Sequence, residues 1–303
     1  MMDTILVLIG LGVAIAIIFT GGFGLLQGEF GFGGDFFGSG GPRASGPGGY
    51  ISDSQISSPQ YSSGNSSATA PASEPAIPAG YSVYSQDIRI GNVAYSDSGT
   101  LASEYIYLYN ANSSKEVPIS ISGWTVENSR GNHYAIGNGY TIPFFDATAI
   151  SIRLRPGDGV YIHSGSSPIG MSFRENRCTG YFNEARNFIP SLSGSCPQYD
   201  VSKMLQFSDA CIRYIENAQN GCRVPQISGI ESGVLNETND DCSTFISQNL
   251  NYNGCVKNFR NATDFARPTW HAYLQRTQKL WRGLHDKIIL RDDQGLIVDA
   301  YQY

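Results

Sequence analysis

Cys178, Cys196, Cys211, Cys222, Cys242 and Cys255 are the most reactive side chains in this sequence, and all lie in its C-terminal half. Thiols so placed can ligate a metal, attack a substrate or cross-link the chain. No C-x-x-C pair of a zinc site occurs among them, and an even number favours disulfides made in an oxidising compartment. The histidines His133, His163, His271 and His285 share no motif, and His163, in "YIHSGSSP", reads as a surface position at a strand end. There is no G-x-S-x-G elbow, H-E-x-x-H pair, P-loop or EF-hand loop. Glu104, Asp158, Asp292 and Asp293 could supply a carboxylate pair, yet charged residues at turns are usually solvated, and "DDQG" from Asp292 is first of all a hairpin turn. The sequence thus points to no catalytic residue, no metal and no cofactor, and away from an enzyme.

One stretch departs from this background. From Lys257 to Lys287 the chain reads "KNFRNATDFARPTWHAYLQRTQKLWRGLHDK", seven Lys or Arg against two Asp, with Trp270, Tyr273 and Trp281 interleaved. Basic groups alternating with aromatics can hold phosphates and bases, or an anionic wall polymer, so Arg260, Arg267, Arg276, Lys279 and Arg282 are candidate polyanion contacts. A structural reading competes with this one. Trp270, Leu274, Trp281 and Leu284 recur near helical spacing, so a helix could bury them and leave its charges in water. The chain carries a net charge of −6, and after Gly80 it has 19 basic and 21 acidic residues, whereas a dedicated nucleic-acid binder is usually more basic. Nucleic acid is therefore a possible partner, and the helix the preferred expectation.

Several elements would have to position these residues. From Tyr81 the texture is one of short period-two runs, among them "SEYIYLYN", "VPISISGWTVEN", "AISIRL" and "GVYIHSG", separated by Gly, Asn, Ser and Asp. Such runs predict an antiparallel sandwich or barrel. Tyr105, Tyr107 and Tyr109 fall on one face of their strand and Ile106 and Leu108 on the other. The tyrosines read as cross-strand pairs, with stacking on a sugar as the functional alternative. Gly123 interrupts the alternation before Trp124, which marks a bulge or a close backbone approach.

"EYIYLYN" at 104–110, "ISGWTV" at 121–126, "YTIP" at 140–143, "LRPGDGVYIHSG" at 154–165 and the closing "HDKIILRDDQGLIVDAYQY" together resemble a lamin-tail domain. That resemblance implies an immunoglobulin-like β sandwich with Trp124 packed between its sheets. It also resembles anchored lamin-tail proteins of small-genome bacteria, from which no activity carries over. The association of animal lamin tails with chromatin lends the polyanion reading support by analogy. In a bacterial protein the N-x-[ST] sequons at Asn65, Asn112, Asn236 and Asn261 would carry no glycan.

About 110 residues separate the strand ending near Gly165 from the final hairpin, too many for an ordinary connection. Cys178 and Cys196 flank a turn-rich segment there, and pairing them would close a loop worth about 3 kcal/mol of chain entropy. "FSDACIRYIENAQNGCRVP" and "NDDCSTFISQNLNYNGCVKNF" both read as helices, begun by Ser208 and Asn239. Within either intact helix the two sulfurs would stand roughly 16 to 20 Å apart, beyond bonding distance. An antiparallel hairpin then predicts Cys222 with Cys242 and Cys211 with Cys255, while a first helix ending before Gly221 would reopen sequential pairing.

The N-terminus completes the layout. "ILVLIGLGVAIAIIFTGGFGLL", from Ile5 to Leu26, is uncharged and about long enough to cross roughly 30 Å of hydrocarbon as a helix. A signal peptide is the rival, but "MMD" lacks a basic start and no A-x-A site follows. The Gly, Ser, Pro and Ala that follow cannot bury enough surface to order themselves. The expected organisation is a membrane anchor at 1–27, a disordered tether at 28–80, a mainly β, immunoglobulin-like sandwich at 81–171 and 285–303, and a disulfide-bonded helical insertion at 172–284. The expected function is non-enzymatic recognition or scaffolding of a protein or wall polymer at the cell surface, through a single-pass protein whose C-terminal domain is extracytoplasmic. A receptor for DNA or another polyanion is the alternative.

Overall fold

Runs in which apolar and polar side chains alternate bury one face of a strand and wet the other, which accounts for the β elements of this chain. The computed structural model describes residues 76–95, 99–114, 116–225 and 240–303. The predicted span at 1–27, and the predicted tether as far as residue 75, lie outside them. Among the described residues no helix is long and apolar enough to cross a membrane. The strands are β1 (Ile88–Ala94), β2 (Tyr105–Asn110), β3 (Ile119–Ser120), β4 (Thr125–Glu127), β5 (His133–Ala135), β6 (Arg153–Leu154), β7 (Gly159–His163), β8 (Phe173–Asn176), β9 (Ala266–Tyr273), β10 (Lys287–Arg291) and β11 (Ile297–Gln302).

Two sheets result. One has five strands in the order β1-β2-β7-β9-β8, the other four in the order β11-β10-β4-β5, and β3 pairs with β6. Among the described strands, β7 and β9 are the one parallel pair. Both sheets feed one apolar core, where Ile106, Leu108 and Val160 of the first join Val126, Leu290 and Val298 of the second. Trp124 lies in that core at 2% exposure, as the resemblance drawn from the sequence implies. Gly123, at φ +89°, supplies the left-handed residue that brings the chain to Trp124.

The opposite face of the five-stranded sheet carries the tyrosines. Tyr107 sits opposite Tyr161 in register, with ring centroids 4.7 Å apart. A Cβ on Gly159 would fall 2.1 Å from the Tyr107 hydroxyl, so only glycine lets that ring lie across β7. Towards β8 the same face is covered. Phe173, Phe182, Phe188, Tyr252 and Val256 form a second core there.

The stretch expected to be a helix around Trp270 is instead β9. Pairing on both sides, with β7 and with β8, supplies the reason, since those ladders take up the backbone groups of the segment, and Pro268 adds no N–H to either. In β9 it sits where the pairing with β8 shifts register between Arg174 and Asn176. Trp281 is still buried, at 4% exposure, but Leu284 is 86% exposed because the chain beyond β9 is an irregular loop. The predicted insertion at 172–284 thus includes two strands of the five-stranded sheet, β8 and β9.

Between those strands lie α1 (Phe182–Ala185), α2 (Asp209–Gln219), α3 (Asp240–Asn249) and α4 (Tyr252–Phe259). Ser208 caps α2 as its sequence predicts, accepting the Cys211 N–H. Asn239 lies outside the described residues. The expected disulfide pairs do not form. The bonds are Cys178–Cys255, Cys196–Cys222 and Cys211–Cys242. Two local breaks explain the difference. Helix α2 ends at Gln219, and Gly221 at φ +88° and Cys222 at φ +58° swing the thiol away towards Cys196. The second predicted helix is split at Asn251, whose side chain caps α4, so Cys242 and Cys255 stand on different helices. Cys211 and Cys242 then join α2 and α3 start to start, with Ile215, Ile246 and Leu250 packed beside them.

Candidate functional site

Beyond β9 the chain follows the end of β7, with the Leu274 and Arg276 amides donating to the carbonyls of His163 and Ser164. It then turns through Gln275, at φ +55°, and buries Leu280 and Trp281 in the core shared by the two sheets. Leu280 is held at both ends of its peptide. Its N–H donates to Glu104 Oε1 at 2.7 Å, and its carbonyl accepts from Asn128 Nδ2 at 3.0 Å and Arg130 Nη2 at 3.1 Å. Two residues later the Arg282 N–H donates to Asp286 Oδ2 at 3.0 Å. Asp286 also accepts the amides of Ser129 and Lys287. Burial alone would raise the Asp286 carboxyl, but these hydrogen bonds outweigh it and hold it below the usual carboxylate range.

The nearby carboxylates are therefore engaged by backbone amides. Among the described residues, neither Arg276 nor Arg282 forms a salt bridge. Their cationic groups gather instead around two adjoining cavities. The first, about 320 Å³, is lined by Arg130, Asn132, Tyr134, Arg276, Gln278 and Lys279, and the Arg276 guanidinium lies 5.3 Å from the centre of the Tyr134 ring. The second, about 380 Å³, shares Arg130 and Lys279 and adds Trp281, Arg282, Leu284 and His285. No Asp or Glu lines either cavity. A concave set of cations, carried on a loop whose backbone is held at Leu280 and Arg282 and without a lining carboxylate, attracts anions.

Of the predicted polyanion contacts, the structure brings Arg276, Lys279 and Arg282 together and leaves the other two apart. Arg260 caps the end of α4, and Arg267 on β9 donates to the Ser195 carbonyl at 2.9 Å. Arg130 was not legible as a partner, because only the β4–β10 pairing carries the turn after β4 to the basic loop. The aromatic half of the polyanion reading also changes: Trp270 and Trp281 are 2% and 4% exposed and cannot offer stacking faces. Tyr273 is stacked on His163, with centroids 4.4 Å apart.

The structure builds a second polar arrangement from residues that look scattered in sequence. His163, expected at the surface, is only 3% exposed, and its Nε2 lies 3.0 Å from Nδ1 of His271. His271 Nε2 in turn lies 2.8 Å from Glu175 Oε1. A carboxylate can only accept, so His271 donates its Nε2 proton to Glu175. Burial first, and then His271, push the His163 imidazole well below the ordinary histidine range. The cavity beside His163 has about 20 Å³, which is room for one water and not for a substrate. This relay is a buried support between β7, β9 and β8.

The other candidate carboxylates have separate structural partners. Asp158 pairs with Arg174 at 3.4 Å, and Asp292 accepts the amides of Gln294 and Leu296 in its turn. Among the described residues no three His, Cys, Asp or Glu side chains are grouped to hold a metal ion. The cationic cleft is thus the arrangement best suited to a ligand. Comparison of the chain with family models, curated proteins and solved structures finds nothing that matches it.

Proposed function

We propose that this protein is a non-enzymatic, membrane-tethered recognition module, an immunoglobulin-like sandwich of lamin-tail type displayed outside the membrane, which captures an anionic ligand in the cationic cleft. The observation that carries the reading is the convergence of Arg130, Arg276, Lys279 and Arg282 on cavities that no carboxylate lines. The shared core of two sheets, Trp124 within it, and the β10–β11 hairpin support the sandwich type. Three disulfides support an oxidising location for the folded part. The apolar run from Ile5 to Leu26 and the Gly/Ser-rich stretch after it support the anchor and tether.

Binding of full-length protein in detergent to labelled polyphosphate tests the reading. Four engaged cations predict a salt slope near −3, so affinity should fall roughly 50-fold between about 50 and 200 mM salt. Arg276→Gln and Arg282→Gln should each weaken binding. Salt-independent binding, or no binding to the wild-type chain, would remove the anion site from the proposal.

A further inference from the structure

Resting on that reading, we propose that the ligand is a phosphodiester polymer with hydroxyl-bearing spacers and no bases, such as a polyol phosphate. Three features of the cleft lead there. Its cations come from two different elements, Arg130 from the turn after β4 and Arg276, Lys279 and Arg282 from the loop after β9. A planar carboxylate offers two oxygens in one plane, whereas a tetrahedral phosphate presents oxygens towards both walls at once, and guanidinium forks match it.

The cavities adjoin and share Arg130 and Lys279, with Arg276 in one and Arg282 in the other. A single phosphate would engage one lobe and leave the second unoccupied. Two linked phosphates place one anion in each lobe, and the spacer between them passes the shared residues. Asn132 and Gln278 offer that spacer neutral donors and acceptors of the kind a hydroxyl uses.

Bases find no platform here. Strand recognition of nucleic acids relies on exposed aromatic faces on which bases stack. Trp270 and Trp281 are buried, and Arg276 already lies over Tyr134. A duplex would need a longer basic stripe to follow its phosphates. Arg260 and Arg267, the further contacts offered by the sequence, do not line either cavity.

The test titrates full-length protein in detergent with poly(glycerol phosphate), oligo(dT) of matched charge, polyglutamate and inorganic phosphate. The expected result is poly(glycerol phosphate) binding at least about tenfold tighter than the other three. Arg276→Gln and Arg282→Gln should each lose about tenfold, and Arg260→Gln, outside the cleft, should retain wild-type affinity and report intact folding. Equal binding of oligo(dT) or polyglutamate would overturn the phosphodiester assignment while leaving the anion site standing. Inorganic phosphate binding as tightly as the polymer would overturn the two-lobe argument. Failure of every polyanion to bind would overturn the anion site itself.

Discussion

His163 Nε2 lies 3.0 Å from His271 Nδ1, although 108 residues separate the two in sequence. They sit diagonally across the parallel pair β7 and β9, where His163 faces Tyr273 and Tyr161 faces His271. Parallel pairing of strands so far apart in the chain creates a buried polar chain ending on Glu175.

This chain makes stability depend on pH. Because the folded protein holds His163 well below the ordinary histidine range, the unfolded chain binds a proton that the folded one refuses. Stability is therefore full above about pH 6.5 and declines as pH falls from there towards the folded value. The titratable groups against the ring are His271, Tyr273, Tyr105 and Tyr161, with Glu175 behind His271. His163→Gln should flatten this slope, while costing about 1–2 kcal/mol at neutral pH through the lost hydrogen bond. Chemical denaturation at several pH values measures both, and an undiminished acid slope would show that another group is responsible.

Glu104 positions the basic loop by accepting the Leu280 N–H at 2.7 Å. Glu104→Ala leaves that buried amide without a partner, which costs about 1–3 kcal/mol. The same change should weaken anion binding, because the loop bearing Lys279 and Arg282 loses its anchor. Glu104→Gln keeps an acceptor and should recover most of both losses. A binding loss of equal size in the two variants would mean that charge, and not position, is what Glu104 supplies.

The disulfides can be read directly. Peptide mapping without reduction should recover Cys178–Cys255, Cys196–Cys222 and Cys211–Cys242. The first spans 77 residues. In the loop-entropy account, a double change of Cys178 and Cys255 to Ser should cost about 4–5 kcal/mol, the most of any pair. Recovery of Cys178–Cys196 would contradict the packing between β8 and α4.

Trp281 and Leu284 separate the loop from the helix expected at this point. Trp281→Ala should cost about 3–5 kcal/mol, as emptying a core site does. Leu284→Ala should stay within about 0.5 kcal/mol, because the side chain is in water. Comparable losses at both positions would require the helical stripe.

Sequence by itself determined the local matters of this protein. Period-two alternation placed Ile106 and Leu108 in the core, and Ser208 announced the start of α2. Each follows from a residue's own conformational preference and from neighbours a few positions away. The spacing of Trp270, Trp281 and Leu284 suggested a helix, and the pairing of β9 with β7 and β8 overrode it. Tertiary structure alone decided which distant residues meet: Arg130 with Arg276, His163 with His271, and each cysteine with its partner. The reason is physical. Such meetings depend on which strands pair, and in which direction, and that choice follows from burial summed over the whole core and not from any short stretch of chain.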